Sequence, residues 1–472
     1  MVLVAIGALM ILPSVIDLKD HDADVQTFIL SGVSCIFVGG VLYLANKDSN
    51  HQITRRETFF LTTFVWLMLS FFAALPYYMS SDIDLSFTDA FFEAVSGITT
   101  TGATVLTDLD HVSRGILFWR ALTQWIGGIG IIALAFVFLP ILKIGGMQLF
   151  QTESSERSDK IAPRTYNVVF MIVSAYTIIT FLCGMTYLAL GMDYFDALCH
   201  ALTTVSTGGF STHDASFGFF TRPALQWAAT FFMFAGGLPF VLLAQAVFKG
   251  RPKELIRSTQ VRTYAFLCVA FIAVMSLWLM RNDLYGFTDA VRMAAFNIVS
   301  IMTTTGYATT DYLLWGSFPV AFFFFLTYMG GCTGSTAGGM KIMRMEIVFR
   351  TVNLSIKRLI YPHGIFSTRY ACKTLHDDVA RSIMTFLLVF VIANIVLVLG
   401  LSFYGLDIQT AISAAATMTA NVGPGIGDII GPSGNFASLP DGAKWLLDMG
   451  MILGRLEFLT VLVLFSASFW RS

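Results

Sequence analysis

Charge is what this chain has least of. Asp, Glu, Lys and Arg together make up 12% of its 472 residues, whereas hydrophobic residues make up 56% and the mean hydropathy is +0.72. A water-soluble protein of this length carries roughly a quarter of charged residues, so a soluble enzyme or a pair of soluble domains is excluded. An excess of either sign is lacking too: the formal net charge is −1, which points neither to nucleic acid nor to an acidic substrate. The six cysteines, Cys35, Cys183, Cys199, Cys268, Cys332 and Cys372, form no CxxC pair. They lie mostly in apolar stretches, which indicates neither a disulfide framework nor a zinc site. The seven histidines make no HExxH, no GxSxG occurs and paired membrane aspartates are missing, so nothing supports an intramembrane enzyme. The opening MVLVAIGALMILPSVIDL has no basic stretch and no clear small-residue cleavage site. It reads as a membrane helix shortened by Pro13 rather than as a signal peptide.

What is present is a series of apolar runs, near residues 2–17, 26–46, 57–79, 115–142, 166–190, 223–248, 262–280, 316–350, 379–403 and 443–469. Most are about 20 residues or longer, enough to cross roughly 30 Å of hydrocarbon. Ten full crossings are therefore expected. Between them lie four shorter segments, 85–98, 192–205, 285–302 and 407–418, too short to cross.

Each short segment runs into a glycine and hydroxyl cluster: TTTGAT at 99–104, VSTGGFST at 205–212, MTTTGYATT at 302–310 and MTANVGPGIG at 418–427. The chain thus repeats helix, half-helix, polar glycine loop and helix four times. The repeats have a register. Asp89-Ala90, Asp196-Ala197 and Thr410-Ala411 begin 13 residues before Gly102, Gly209 and Gly423, while Asp289-Ala290 begins 17 before Gly306. The extra four residues are about one helical turn and keep the same face toward the loop. Register selects Gly209 over Gly208.

Basic residues set the orientation. With the amino terminus in the cytoplasm, 21 of the 29 Lys and Arg fall on cytoplasmic segments, in 47–56, 143–164, 249–262 and 341–381 and at Arg471, as the positive-inside rule requires. The four glycine loops then open toward outer segments carrying acids such as Asp108, Asp110, Asp193, Asp214, Asp311 and Asp428.

Irregular backbone is tolerated at membrane depth only where protein covers it or a wet cavity receives it. Four such loops in register therefore imply a cavity. Glycine permits backbone angles that let successive carbonyls point the same way, and a neighbouring threonine adds a hydroxyl oxygen. Stacked carbonyl rings replace the hydration shell of a monovalent cation. Half-helix carboxyl ends aimed at the cavity add partial negative charge. No Asp or Glu lies between the threonines and the glycine of any loop, which argues against a divalent-selective ring of acids. For one TTTG taken alone a helix turn would suffice; four in register favour the cation pathway. GGIG at 127–130 sits inside an apolar helix and follows no strand, so it reads as helix packing and not as a nucleotide fingerprint.

The four loops, together with WRALTQWIGGIGI at 119–131, GGCTGSTAGGMKI at 330–342 and GRLEFLT at 454–460, resemble the Trk, Ktr and HKT superfamily of potassium transporters. Within it they are most similar to the bacterial TrkH and TrkG group, over almost the whole chain. The resemblance implies a filter of Thr100, Thr101, Gly102, Thr207, Gly208, Gly209, Thr304, Thr305, Gly306, Asn421, Val422 and Gly423 holding potassium. Plant relatives that favour sodium carry serine where this chain has Gly102, so selectivity for potassium is implied. It further implies potassium uptake across the bacterial cytoplasmic membrane, a homodimer with one pore per subunit, and a cytosolic TrkA-like subunit that senses nucleotide. This chain itself needs no cofactor, and no nucleotide fold is read in it. A sodium-selective or sodium- or proton-coupled member of the same superfamily is the alternative. The basic segments 143–164, 249–262 and 341–381 are either a docking surface for such a subunit or orientation signals facing anionic lipid. By amino-terminal length the chain departs from its relatives, starting inside the first apolar segment.

The expected architecture is an all-α membrane protein of four tandem helix, pore loop and helix repeats around a central ion pathway, behind two amino-terminal membrane helices. Its expected divisions are 1–50, 51–164, 165–260, 261–377 and 378–472. GGCTGSTAGG at 330–339 carries too many glycines to continue a helix, and it lacks the Gly-Lys-Ser or Gly-Lys-Thr of a phosphate loop. Similarity to the family's intramembrane loop makes Gly330, Gly331, Thr333, Gly334, Ser335, Thr336, Gly338 and Gly339 a gate below the filter; a packing kink is the alternative. Arg455 reads as lying midway along the last span, facing either the pathway or a partner on another helix. Arg120, near an outer helix end, and Arg292, on a half-helix, carry weaker cases.

Overall fold

The computed structural model describes all residues except 21–23, 48–53, 138–160, 365, 367–368, 371–372, 375–376 and 472. Among the described residues seven stretches are helical, long and apolar enough to cross a membrane: Val2–Asp20, Val25–Asn46, Arg56–Met79, Arg114–Ala133, Asn167–Ala189, Thr259–Arg281 and Asp378–Phe403. The chain is a multi-pass, all-helical membrane protein. Its described β-structure is a two-residue ladder, Arg369–Tyr370 against Lys373–Thr374.

Three of the ten expected crossings are not continuous helices, and each break has a local cause. The span at 223–248 divides into Pro223–Gly236 and Phe240–Lys249, which meet at 103°. Pro239 stands at the corner, with no N–H and a ring that obstructs the preceding turn. The span at 316–350 stops after Ser317–Thr327 and resumes at Ile342–Ile360, because the glycine-rich stretch between them is irregular. The last span ends as a regular helix at Arg455 and reverses at Glu457, whose φ is +65°. All three broken spans are the helix that follows a pore loop.

The short segments form four half-helices: α1 (Phe87–Ile98), α2 (Tyr194–Val205), α3 (Phe287–Met302) and α4 (Ile408–Ala420). Side-chain caps start three of them. Ser86 accepts from the Asp89 N–H at 3.1 Å, Asp193 from Phe195 at 3.1 Å and Asp407 from Thr410 at 3.0 Å, each satisfying an amide the first turn leaves unpaired. The third starts from Gly286 without a side-chain cap and has 16 residues against 12, 12 and 13, the additional turn expected from its register.

The amino-terminal helices pack tightly through glycine: a Cβ on Gly7, Gly32 or Gly39 would meet the opposing helix at under 3.0 Å. Close packing of this kind holds helices together where lipid supplies no hydrophobic drive. GGIG at 127–130 serves packing too, since a Cβ on Gly127 would collide with the Ile98 carbonyl at the end of α1. Cys35, Cys183, Cys199, Cys268 and Cys332 are buried free thiols; Cys372 and most of 143–164 lie outside the described residues.

Candidate functional site

The four half-helices end in one backbone conformation. Each is followed by a left-handed residue, Thr100, Thr207, Thr304 and Asn421 (φ 54°, 53°, 57° and 55°). Two residues later comes a left-handed glycine, Gly102, Gly209, Gly306 and Gly423 (φ 84°, 80°, 83° and 100°). The residue between them, Thr101, Gly208, Thr305 or Val422, donates its N–H to the carbonyl five residues earlier at 2.9, 2.9, 2.8 and 3.0 Å, closing the helix end. Threonine is β-branched and resists positive φ, at a cost of about 1–3 kcal/mol. Such strain at three equivalent threonines marks the loops as more than turns. Gly209, and not Gly208, takes the position equivalent to Gly102.

The loops close into a ring. A Cβ placed on Gly102 would come within 3.0 Å of the Gly208 carbonyl oxygen, one on Gly209 of Thr305, one on Gly306 of Val422 and one on Gly423 of Thr101. Each glycine thus faces a carbonyl of the next repeat, and the fourth repeat returns to the first. All four glycines line a single cavity of about 330 Å³. Gln124 braces the ring from behind, donating from Nε2 to the Gly208 carbonyl at 2.8 Å and accepting from the Phe210 N–H at 3.1 Å. Asn421 Nδ2 donates to Thr101 Oγ1 at 3.0 Å and to the Met451 carbonyl at 2.9 Å, which joins the fourth loop to the first.

Asp108, Asp214, His213 and Arg120 line the same cavity. Arg120, the weaker candidate by sequence, is 1% exposed and meets the buried Glu93 at 2.8 Å. Glu93 also accepts from Thr104 Oγ1 and the Val105 N–H, each at 3.0 Å. Arg120 donates onward to the Ser211 carbonyl at 2.9 Å and lies 4.2 Å from the centre of the Phe210 ring. The pair therefore fixes the chain beyond Gly102 against the chain beyond Gly209. His213 bridges Asp110 at 2.5 Å and Asp196 at 3.2 Å. Burial alone would lower its pKa, but hydrogen bonds and charge from the two aspartates outweigh burial and raise it above the ordinary 6.5. Arg292 pairs with Asp289 on its own half-helix at 2.7 Å, away from the cavity lining.

The glycine-rich stretch is seated directly beneath the ring. Thr336 Oγ1 lies 3.1 Å from Thr207 Oγ1. The Gly338 N–H donates to Thr304 Oγ1 at 2.6 Å and the Gly339 N–H to the Ala420 carbonyl at 2.8 Å. Its flanks are pinned as well. The Gly330 N–H reaches the Met340 carbonyl at 2.9 Å, the Gly331 carbonyl accepts from Ile342 at 3.2 Å and the Gly334 carbonyl accepts from Phe240 at 2.9 Å. The Thr333 N–H donates to Gln260 at 3.1 Å, and Ser335 Oγ donates to the Cys332 carbonyl at 2.6 Å. Arg455 stands at the end of its helix, not midway along the span, and donates from Nη1 to the Thr336 carbonyl at 2.9 Å. Glu457 pairs with Arg344 at 2.7 Å. Against this stretch lies a cavity of about 30 Å³, lined among others by Gly338, Lys341, Arg344, Arg455 and Glu457.

Sequence reading passed over Glu93, Gln124, Lys341 and Arg344. For Glu93 a signal existed: it is an acid inside the apolar run AFFEAVSGI, and an ionisable group in a membrane helix has a partner to be sought. Among the described residues no group of three or more His, Cys, Asp or Glu could hold a metal; the oxygen atoms that face the four ring glycines belong to the backbone.

The model of the family described as TrkH, cation transport protein, matches residues 24–472. The Trk system potassium uptake protein TrkI of Halomonas elongata is 43% identical over 463 residues, covering 98% of this chain and 94% of that protein. TrkH of Escherichia coli, also a Trk system potassium uptake protein, is 33% identical over 465 residues, covering 98% and 96%. The crystal structure of the potassium transporter TrkH from Vibrio parahaemolyticus superposes with a TM-score of 0.92 at 33% identity, covering 100% of this chain and 97% of that one.

Proposed function

From a chain that belongs to the TrkH family of cation transport proteins, we propose potassium uptake across the bacterial cytoplasmic membrane, amino terminus inside, through a gated pore whose filter is the ring at Gly102, Gly209, Gly306 and Gly423. The observation that carries this reading is the closure of four identically folded loops onto one another's carbonyl oxygens. Backbone carbonyl oxygens gathered in rings substitute for the water around a potassium ion. Converging half-helix carboxyl ends supply partial negative charge without a carboxylate that would hold a divalent ion. Potassium is then substrate, and the chain carries no cofactor of its own.

The seated stretch 330–339 and Arg455 act as the gate. Its hydrogen bonds to Thr207, Thr304 and Ala420 favour this over a passive kink, because it touches the underside of three loops at once. In this reading a cytosolic TrkA-like subunit that senses nucleotide unseats it, and the chain pairs as a homodimer with one pore per subunit. The divisions 1–50, 51–164, 165–260, 261–377 and 378–472 follow the repeats.

Purified protein in liposomes under a clamped potential tests the reading, by comparing potassium, rubidium, sodium and lithium influx. Potassium and rubidium are expected to lead. Sodium in first place would establish the alternative, a sodium-selective or sodium-coupled transporter, and lithium ahead of potassium would remove the filter.

A further inference from the structure

Beneath the ring, basic groups outnumber acidic ones around one small cavity. The 30 Å³ cavity is lined by Lys341, Arg344, Arg455 and Glu457. Three cations against one carboxylate leave a net charge of +2. Lys341, Arg344 and Arg455 are 9%, 2% and 3% exposed. Glu457 is engaged by Arg344, whose guanidinium also lies 4.0 Å from the centre of the Phe386 ring. Neither Lys341 nor Arg455 makes a direct ion pair among the described residues. The Lys341 ammonium donates to the Ala337 carbonyl. Arg455 gives Nη1 to Thr336, but its Nε and Nη2 are buried without a partner among the described residues.

A buried cation without a counter-charge is strongly unfavourable, and two facing one small cavity repel each other as well. One water needs roughly 10–15 Å³ by the same measure, so the cavity has room for a body of two or three waters. That is the size of a halide ion, and it is too small for phosphate or an organic acid. Guanidinium N–H groups in the fixed fork of arginine are donors suited to such an ion. We propose that this cavity binds one small monovalent anion of halide size, held by Nε and Nη2 of Arg455 and by the charge of Lys341 while the 330–339 stretch is seated. The role assigned to the ion rests on the gate reading above: it keeps Arg455 and Lys341 together and so stabilises the seated position.

The test is binding, which needs no flux. Crystals of the full chain soaked in potassium bromide and measured at the bromine edge should show an anomalous peak within hydrogen-bond distance of Arg455. The peak should disappear in Arg455→Gln and weaken in Lys341→Met. Thermal unfolding of the wild type in detergent should occur at lower temperature when chloride is replaced by gluconate, and the variants should lose that difference. An empty cavity in crystals that show bromide elsewhere overturns the proposal, as does a peak undiminished in both variants. If Arg455→Gln does not yield folded protein, Lys341→Met decides by the same two readouts. Potassium flux on the same preparations reports separately on the transport reading, which survives a failure of the anion site.

Discussion

Arg120 and Glu93 meet at 2.8 Å with neither side chain reaching solvent, and between them they grip the chain immediately beyond two of the four ring glycines, through Thr104, Val105 and Ser211. Removing one member of a buried ion pair costs about 3–5 kcal/mol, whereas replacing both by apolar groups is often tolerated. Glu93→Gln should therefore lower the unfolding temperature and the monodisperse yield sharply. Combining it with Arg120→Met should recover part of the loss. Thermal unfolding of the two variants checks this, and equal stability of wild type and Glu93→Gln would show the pair to be dispensable.

A side chain at a ring glycine is strained for two reasons at once. The φ of these glycines is positive, and a Cβ would overlap a carbonyl of the next repeat. Gly102→Ser and Gly209→Ala should reduce the preference for potassium over sodium by about tenfold or more, since about 1.4 kcal/mol of strain on the carbonyl is enough for that change. Gly40, where a Cβ would meet nothing within 4 Å, provides the control: Gly40→Ala should leave the ratio unaltered. Reversal potentials under mixed potassium and sodium gradients measure it.

Arg455 holds the seated stretch and places a positive charge under the ring. At an effective dielectric near 20, two unit charges about 6 Å apart interact by roughly 3 kcal/mol, enough to slow passage by about two orders of magnitude where the charge is uncompensated. Arg455→Ala should raise potassium flux without the cytosolic partner, with ion preference unchanged. Deleting Gly334 to Gly338 should act in the same direction. Liposome flux measured beside monodisperse yield separates a gate from a structural support, and a stable Arg455→Ala protein with wild-type flux would remove the residue from the pathway.

His213 should make the stability of the cavity rim depend on pH. Its pKa is raised above 6.5 because Asp110 and Asp196 favour the imidazolium. Stability from a raised pKa is fully present below the ordinary value and is lost as pH rises through the raised one. Wild-type protein should therefore exceed His213→Gln in unfolding temperature at about pH 5.5, and the difference should shrink by about pH 9. His200 lies close by and faces Ser211 through Nε2, so the comparison is best repeated in His200→Gln. A difference that does not vary with pH would mean that His213 acts only through its stacking on Phe219 at 3.6 Å.

Much of this was legible because it is periodic. Four half-helices, the additional turn before Gly306 and the choice of Gly209 over Gly208 all follow from spacing along one chain. Composition alone identified the membrane as the solvent, since it leaves too little charge to cover a soluble surface. The break at 330–339 was visible in its glycines.

Tertiary structure decided the rest. No local rule pairs Glu93 with Arg120, or Arg344 with Glu457 across 113 positions, because a buried charge selects its partner by proximity in the fold and not by distance along the chain. The end of the last helix at Arg455 was hidden for the same reason: GRLEFLT has ordinary helix formers, and the positive φ at Glu457 persists where the surrounding contacts over-determine it. Spacing established that there are four loops and which glycine each presents. Only the folded chain established that each glycine faces the next repeat's carbonyl, which makes four separate turns into one closed ring.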